Sequence, residues 1–386
     1  MTPYIVCFSM TIFLSYLDEI AIRKKSLTHY MFAFLVTIIP AILAGCRDNN
    51  IGTDVMVYAY YCFQEASRYG SDVLSVDFNP AVEIGFYFFA WVSSMFFDTV
   101  NGLLFFVSWF INIFVYCTFY RSRRYCSICL GELVFLLLFY NEAYNAMRQY
   151  MAMSVILFGM TYLLEHRYFH AIFWAIFAYM FHHSSVIGWA IMALLAFCNN
   201  SRCDNLYGIV KKNTELQWKK IFFVLVLMVL CGAFFEYIAS LLLSLGVFGG
   251  DKYFSYIADI GRYGDVGYSI NMMIAYIGIF MAIIFNRKYI WFIQGAIILF
   301  IGDMAMYYLR FKLIWLMRIS MWFFFMRLLY VSQMPFSFKE ILGKKMKYSY
   351  LGTIVTIGLC MLYWYVAYIK SNLNETYPYT SAILGI

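Results

Sequence analysis

Charge is scarce in this sequence. Asp, Glu, Lys and Arg together make up 13% of it, against 64% hydrophobic residues, and a soluble domain carries about twice that charged share. The shortage excludes an ordinary soluble chain. The short alternating segments of a membrane β-barrel are also missing, and the apolar runs are continuous. There is no Gly/Ser-rich linker, low-complexity tract or clear internal repeat, so residues 1–386 read as one integral membrane domain. The first apolar run, Tyr4 to Tyr16, has no basic stretch before it and no small-residue cleavage site after it. It reads as a retained span rather than a removed signal peptide. Ten cysteines are scattered, and the one close pair, Cys126 and Cys129, has no second pair or nearby His, which argues against a metal or redox site. No serine elbow, P-loop, HExxH or Asp-rich magnesium motif is present, so neither a metal nor another cofactor is expected. The net charge of +7 fits inner-loop Lys and Arg in a membrane protein and does not imply nucleic-acid binding.

What is abundant is aromatic and apolar. Aromatics reach 22%, many at the ends of apolar runs where amphipathic rings suit the headgroup layer. Apolar segments fall at 2–17, 30–45, 83–97, 102–119, 127–141, 149–164, 168–182, 184–198, 220–245, 268–285, 289–309, 312–332 and 349–369. Basic clusters follow or precede them at Arg23-Lys24-Lys25, Arg121 to Arg124, His166-Arg167, Lys211-Lys212, Lys219-Lys220, Arg287-Lys288 and Lys344 to Lys347. If every run crosses, the first cluster falls opposite the rest. If 83–97, which is short, opens with Glu83 and follows Pro80, is a partial or interfacial helix, all clusters fall on one side. The expectation is an all-α polytopic membrane protein of about 12 transmembrane helices plus that partial one, with both termini outside. Outer loops are expected at about 46–82 and 246–267, and inner loops at about 199–219 and 333–348.

In this layout the unusual polar residues gather on the outer face: Arg47, Asp48 and Asp54; Tyr140 to Gln149, with Arg148; His182, His183 and Ser184; Arg262 and Tyr263; and Arg310. Outer-face arginines run against the positive-inside bias, and their guanidinium forks suit a polyanionic headgroup, a lipid diphosphate above all. Any one of them can equally be structural; Arg148 could cap a helix or pair with Glu142. Arg318 lies inside a span, about two turns beyond Arg310, and Asp303 is its candidate partner. Glu132 and Glu236 read as hydrogen-bonded helix glue. An imidazole at His182, near an Arg-phosphate site, is placed to take a proton from an acceptor hydroxyl, with Asp54 as second choice. Tyr58, Tyr140, Tyr144 and Tyr263 could stack on sugar rings, although interfacial anchoring explains most tyrosines here.

The segment Arg47-x-x-x-Ile51-Gly52-Thr53-Asp54-x-x-x-Tyr58 after an apolar run resembles the opening motif of the EpsG family, which is similar to Wzy-type polysaccharide polymerases. Asn145-Ala146-Met147-Arg148-Gln149-x-x-Ala152 resembles that family's second motif, and Phe181-His182-x-Ser184 its third. The resemblance covers most of the chain as topology but is specific only in these three stretches. It implies a GT-C-like membrane glycosyltransferase that needs no metal and lengthens exopolysaccharide, capsule or O-antigen chains on the outer side of the bacterial cytoplasmic membrane. The donor would be a growing glycan on undecaprenyl diphosphate and the acceptor a lipid-linked repeat unit, with a chain-length regulator and flippase of the same pathway as possible partners. By the chemistry of the residues themselves, Arg47, Arg148 and Arg318 are expected on the diphosphate, His182 and Asp54 in catalysis, and Asp48, Tyr58, Asn145, Gln149, Ser184, Arg262, Tyr263 and Arg310 on the substrate, although residues 246–267 match no family pattern. The alternatives are an O-antigen ligase-like enzyme and a flippase or transporter of the same lipid-linked sugars.

Overall fold

The computed structural model describes residues 1–75, 78–123, 126–198, 218–234, 237, 241, 290–309, 316–332 and 347–386. Among these, every regular element is helical. In chain order they are α1 (Thr2–Arg23), α2 (Thr28–Cys46), a π-helical turn (Val55–Ala59), α3 (Tyr60–Tyr69), α4 (Ile84–Ser94), α5 (Asn101–Ser122), α6 (Ile128–Leu138) and α7 (Met147–Leu164). There follow α8 (Tyr168–Tyr179), α9 (Ser185–Cys198), α10 (Trp218–Ala233), α11 (Ile290–Leu309), α12 (Leu316–Met326) and α13 (Lys347–Trp364). Four helical stretches among the described residues are long and apolar enough to cross a membrane: α1, α2, α5 and Thr353–Lys370. The expected loops at 246–267, and nearly all of those at 199–219 and 333–348, lie outside the described residues.

At the centre stands α7. It is apolar on nearly all faces, and from Gln149 to Leu157 its side chains are buried without a break, as expected for a helix hydrophobic all round. Its neighbours α5, α8 and α9 wrap it, and α12 crosses its first half.

The two ends of this bundle differ. One end collects the basic clusters. Arg121, ending α5, pairs with Glu165 after α7, Ser127 before α6 donates to Glu19 of α1 at 2.6 Å, and Lys220 of α10 reaches the Phe197 carbonyl of α9 at 3.1 Å. Asp18, fully buried in α1, holds the Tyr116 hydroxyl at 2.7 Å and lies 3.1 Å from His29 Nδ1. At the opposite end Tyr4 donates to the Thr376 carbonyl at 2.7 Å, and Asn101 of α5 donates to the carbonyls of Gly45 and Arg47.

The chain that carries α4 enters and leaves it in that second half: Glu83, just before α4, meets the first turn of α7, and Asn101, seven residues past its end, meets the last turn of α2. At 11 residues it is about 16 Å long, half of a hydrocarbon core. The runs read as full spans at 127–141 and 168–182 are helical for only 11 and 12 residues. They break into turns at 139–146 and 180–184, where Tyr140, Asn141, Tyr144 and His182 are buried. Non-helical backbone can be buried where protein surrounds it or it lines a cavity, and these breaks build the site.

Candidate functional site

The site forms where α4, α7 and α9 begin and α8 ends. Its hub is Glu83. One carboxylate oxygen accepts from Arg148 at 2.6 Å; the other lies 2.7 Å from His182 Nδ1 and accepts from the His183 backbone N–H at 3.1 Å. Gly85 brings the hub to His182. Its N–H donates to the Met180 carbonyl at 2.8 Å, and a Cβ there would stand 2.6 Å from that oxygen. Arg148 also donates to the Ala81 carbonyl and lies over the Tyr58 ring, 4.4 Å from its centroid. A cation in the first turn of a helix opposes the helix dipole, so Arg148 is held by Glu83 against local preference. Breaks of this kind concentrate at functional sites.

Around this triad stand Asp54, Tyr58 and Arg318. Burial pushes the Asp54 carboxyl up, opposed by the charges of Arg318 and Arg148, the Tyr58 hydroxyl and His182, so all four lie around it. Arg318, at the start of α12, is fixed through its backbone, whose carbonyl accepts from Gln149 at 2.8 Å. Its side chain is exposed and makes no hydrogen bond or ion pair among the described residues. Burial pulls the His182 imidazole below its ordinary value despite the Glu83 carboxylate, with Arg148 and Arg318 acting in the same direction as burial. Burial would raise Glu83, but the His182 hydrogen bond and Arg148 outweigh it and hold Glu83 below the usual carboxylate range. The result is an ionised acid, a neutral imidazole and two guanidiniums, with the positive ends of three helices added.

The structure thus brings together Asp54, Tyr58, Arg148, His182 and Arg318. Ser184 adjoins them, its hydroxyl accepting from Trp322 Nε1 at 3.3 Å. Other candidates sit elsewhere. Arg47 is not on an open rim: it is 2% exposed, lies over the Tyr144 ring at 3.9 Å and donates to the Tyr144 carbonyl at 3.2 Å. Asp48 accepts from the Ala382 N–H at 2.8 Å and pins the C-terminal tail. Asn145 donates to the Asn374 carbonyl at 2.9 Å, and Gln149 is spent on α12. Tyr140 and Tyr144 are buried, with Tyr144 donating to the Tyr140 hydroxyl at 2.9 Å, so neither can stack on a sugar. Arg262, Tyr263 and Arg310, with Glu236, lie outside the described residues.

Two expected pairings are corrected. Asp303 meets Arg327, at 2.7 Å, and the Ser320 hydroxyl, so Arg318 is not its partner. The partner of Arg148 is Glu83; Glu142 instead accepts from Tyr150 at 2.7 Å, and burial lifts its carboxyl to about 7. Glu132 is buried with one oxygen lacking a partner, so it is at most half-bonded helix glue.

Sequence reasoning missed Glu83 as a site residue. Its signal was there: an acid directly before an apolar helix too short to span, three residues after Pro80. Among the described residues no group of three or more His, Cys, Asp or Glu side chains is arranged to hold a metal ion.

Apolar spans, helices broken inside the protein and a charged cluster at one end define a polytopic helical membrane protein. The EpsG family model matches residues 30–381, nearly the whole chain, and the protein belongs to that family, as its three motifs suggested. Family membership makes it a glycosyltransferase-like polymerase of polysaccharide biosynthesis in general terms. No curated protein and no solved structure matches it.

Proposed function

We propose that this protein polymerises a bacterial polysaccharide at the outer face of the cytoplasmic membrane. The growing glycan passes from undecaprenyl diphosphate to a lipid-linked repeat unit. The reading includes about twelve crossings and a GT-C-like arrangement, with the basic end in the cytoplasm. The observation that carries it is the exposed guanidinium of Arg318, unpaired among the described residues, beside Asp54, His182 and the Arg148–Glu83 pair.

The chemistry follows from those groups. The donor diphosphate binds Arg318 and Arg148, whose fixed charges stabilise the negative charge that grows as it leaves. Arg47, packed under Tyr144, is not assigned to it. The acceptor hydroxyl oxygen bonds the anomeric carbon and gives its proton to His182. The anomeric carbon–oxygen bond to phosphate breaks, and its electron pair leaves with the diphosphate. Asp54 and Tyr58 face the same space and hold sugar hydroxyls. Charge neutralisation is assigned to arginines, so the reaction is read as metal-independent.

The test is the surface polysaccharide and the lipid-linked material of cells lacking the protein. Single repeat units on lipid at the outer leaflet, with long chains lost, support polymerisation. Complete chains held on lipid diphosphate point to a ligase, and units trapped on the inner leaflet point to a flippase; either overturns the proposal.

A further inference from the structure

The geometry points to Glu83 as a positioning residue that fixes the tautomer of His182: its carboxylate accepts a hydrogen bond from Nδ1–H, so Nε2 is left as the proton acceptor. The imidazole's role as base rests on the polymerase reading above; the tautomer does not.

Four observations carry the inference. First, Glu83 Oε1 is 2.7 Å from His182 Nδ1, and an ionised carboxylate can only accept, so Nδ1 must donate. Second, the carboxylate cannot swing away. The His183 N–H holds the same oxygen at 3.1 Å and Arg148 holds the other at 2.6 Å. Third, Glu83 is the residue before α4, so its backbone is set by the Gly85–Met180 hydrogen bond rather than by a free loop. Fourth, no described residue hydrogen-bonds His182 Nε2, and the side chain keeps 11% exposure. A neutral imidazole whose Nδ1–H is tied to a carboxylate presents Nε2 as base; with the opposite tautomer Nε2 carries a proton and cannot accept one.

The charged and titratable groups around the ring are Glu83 before α4, Arg148 on α7, Arg318 on α12, Asp54 before the π-helical turn, and His183 beside it. Burial, helped by the two arginines, keeps the ring neutral, and Glu83 keeps that neutral ring in one orientation. Glu83 also neutralises Arg148, so one carboxylate sets both the base and the strength of one phosphate contact.

The experiment uses the full chain in lipid nanodiscs with histidines labelled with nitrogen-15. The His182 signals are identified by their loss in His182→Gln. We expect His182 to be the Nδ1–H tautomer in the native protein and to change to Nε2–H in Glu83→Gln, where the amide can turn its NH₂ toward Nδ1. In membranes supplied with lipid-linked material extracted from cells lacking the protein, Glu83→Gln should slow polymer formation by about 10²–10⁴-fold. Glu83→Asp should restore part of it. Adding Glu83→Gln to His182→Gln should cost only what the Arg148 contact loses, far less than in the native background, because the part of Glu83 that acts through His182 is non-additive with it. An Nε2–H tautomer in the native protein, or a Glu83→Gln loss that is undiminished in the His182→Gln background, overturns the inference. The expected tautomers in a protein that makes no polymer would uphold the positioning and overturn the polymerase reading alone.

Discussion

Two clusters of the same three residue types sit at opposite ends of this bundle. At the basic end Arg121 pairs with Glu165 and lies over the Tyr162 ring at 3.6 Å. At the other end Arg148 pairs with Glu83 and lies over the Tyr58 ring at 4.4 Å. Arginine, carboxylate and tyrosine alone therefore do not make a site. The difference lies in what else the carboxylate holds. Glu165 ties one helix end to another and its side chain keeps 18% exposure. Glu83 is 5% exposed, and its lone pairs are also taken by an imidazole and a backbone N–H. Beside it stand a second carboxylate, Asp54, and the unpaired Arg318. Among the described residues, the carboxylate of the first cluster holds only its arginine; in the second, one guanidinium and one imidazole nitrogen are left without a partner.

The comparison is broken most severely by removing those two groups. His182→Gln should lower polymer formation by about 10²–10⁴-fold, the usual worth of a general base, with protein level in the membrane unchanged. Arg318→Ala should lower it by about 10²–10³-fold, since a guanidinium aimed at a leaving group acts mainly in the transition state. Arg318→Lys should recover only part, because an ammonium lacks the bidentate fork. Single-turnover assays on extracted lipid-linked material check both. Full-length polymer from either alanine-type variant would reduce the second cluster to the status of the first.

Acid should separate the two clusters in the same way. The base is the neutral imidazole, so activity is lost as pH falls through its pKa. Burial, with Arg148 and Arg318, pulls that pKa below the ordinary value of 6.5. The rate should therefore stay level down to about that pH and then fall about tenfold per unit on the acid side. A falling limb that begins above pH 7 would mean that His182 is not the group being titrated.

Much of the site end was legible in the sequence, for a physical reason. Arg148, His182 and Asp54 are polar residues beside apolar runs, away from the basic clusters, and the structure brings them together. Partner choice was not legible. Asp303 and Arg318 are close in sequence and share a depth, yet Asp303 meets Arg327, because which face of a helix meets which neighbour depends on crossing geometry that spacing does not contain. Glu83 was hidden for the same reason: 65 residues of chain separate it from Arg148 and 99 from His182. Arg47 and Asp48 misled in the other direction. A charged motif looked like an open rim, and the structure uses it as a strut between the Tyr144 turn and the C-terminal tail.

That strut depends on Gly52, and its loss should be felt as stability rather than chemistry. Gly52 has φ +88°, and a Cβ there would lie 2.8 Å from Asn145 Oδ1 and 3.0 Å from the Tyr144 carbonyl. Gly52→Ala should cost about 1–3 kcal/mol, seen as a lower unfolding temperature in detergent. The fraction that remains folded should keep near-native turnover, because Asp54 follows two residues later but is held by its own surroundings. A Gly52→Ala protein of native stability but no turnover would instead place residues 47–53 in the chemistry.

The smallest effect expected is the one that sharpens the comparison most. Arg121→Ala removes the same kind of guanidinium from the same kind of carboxylate and ring, at the end where no imidazole touches the carboxylate and the nearby Arg167 and His170 meet the Tyr162 ring instead. The pair is partly open to solvent, with side chains 21% and 18% exposed, so its loss should cost about 1 kcal/mol or less. Polymer formation and its pH profile should stay within about twofold of the native protein, in keeping with so small a free-energy change. Arg121 and Arg148 then differ only in what surrounds their carboxylates. An Arg121→Ala protein that inserts and folds normally yet makes no polymer would show that the two ends work together, and the separation drawn here between a structural cluster and a reactive one would fail.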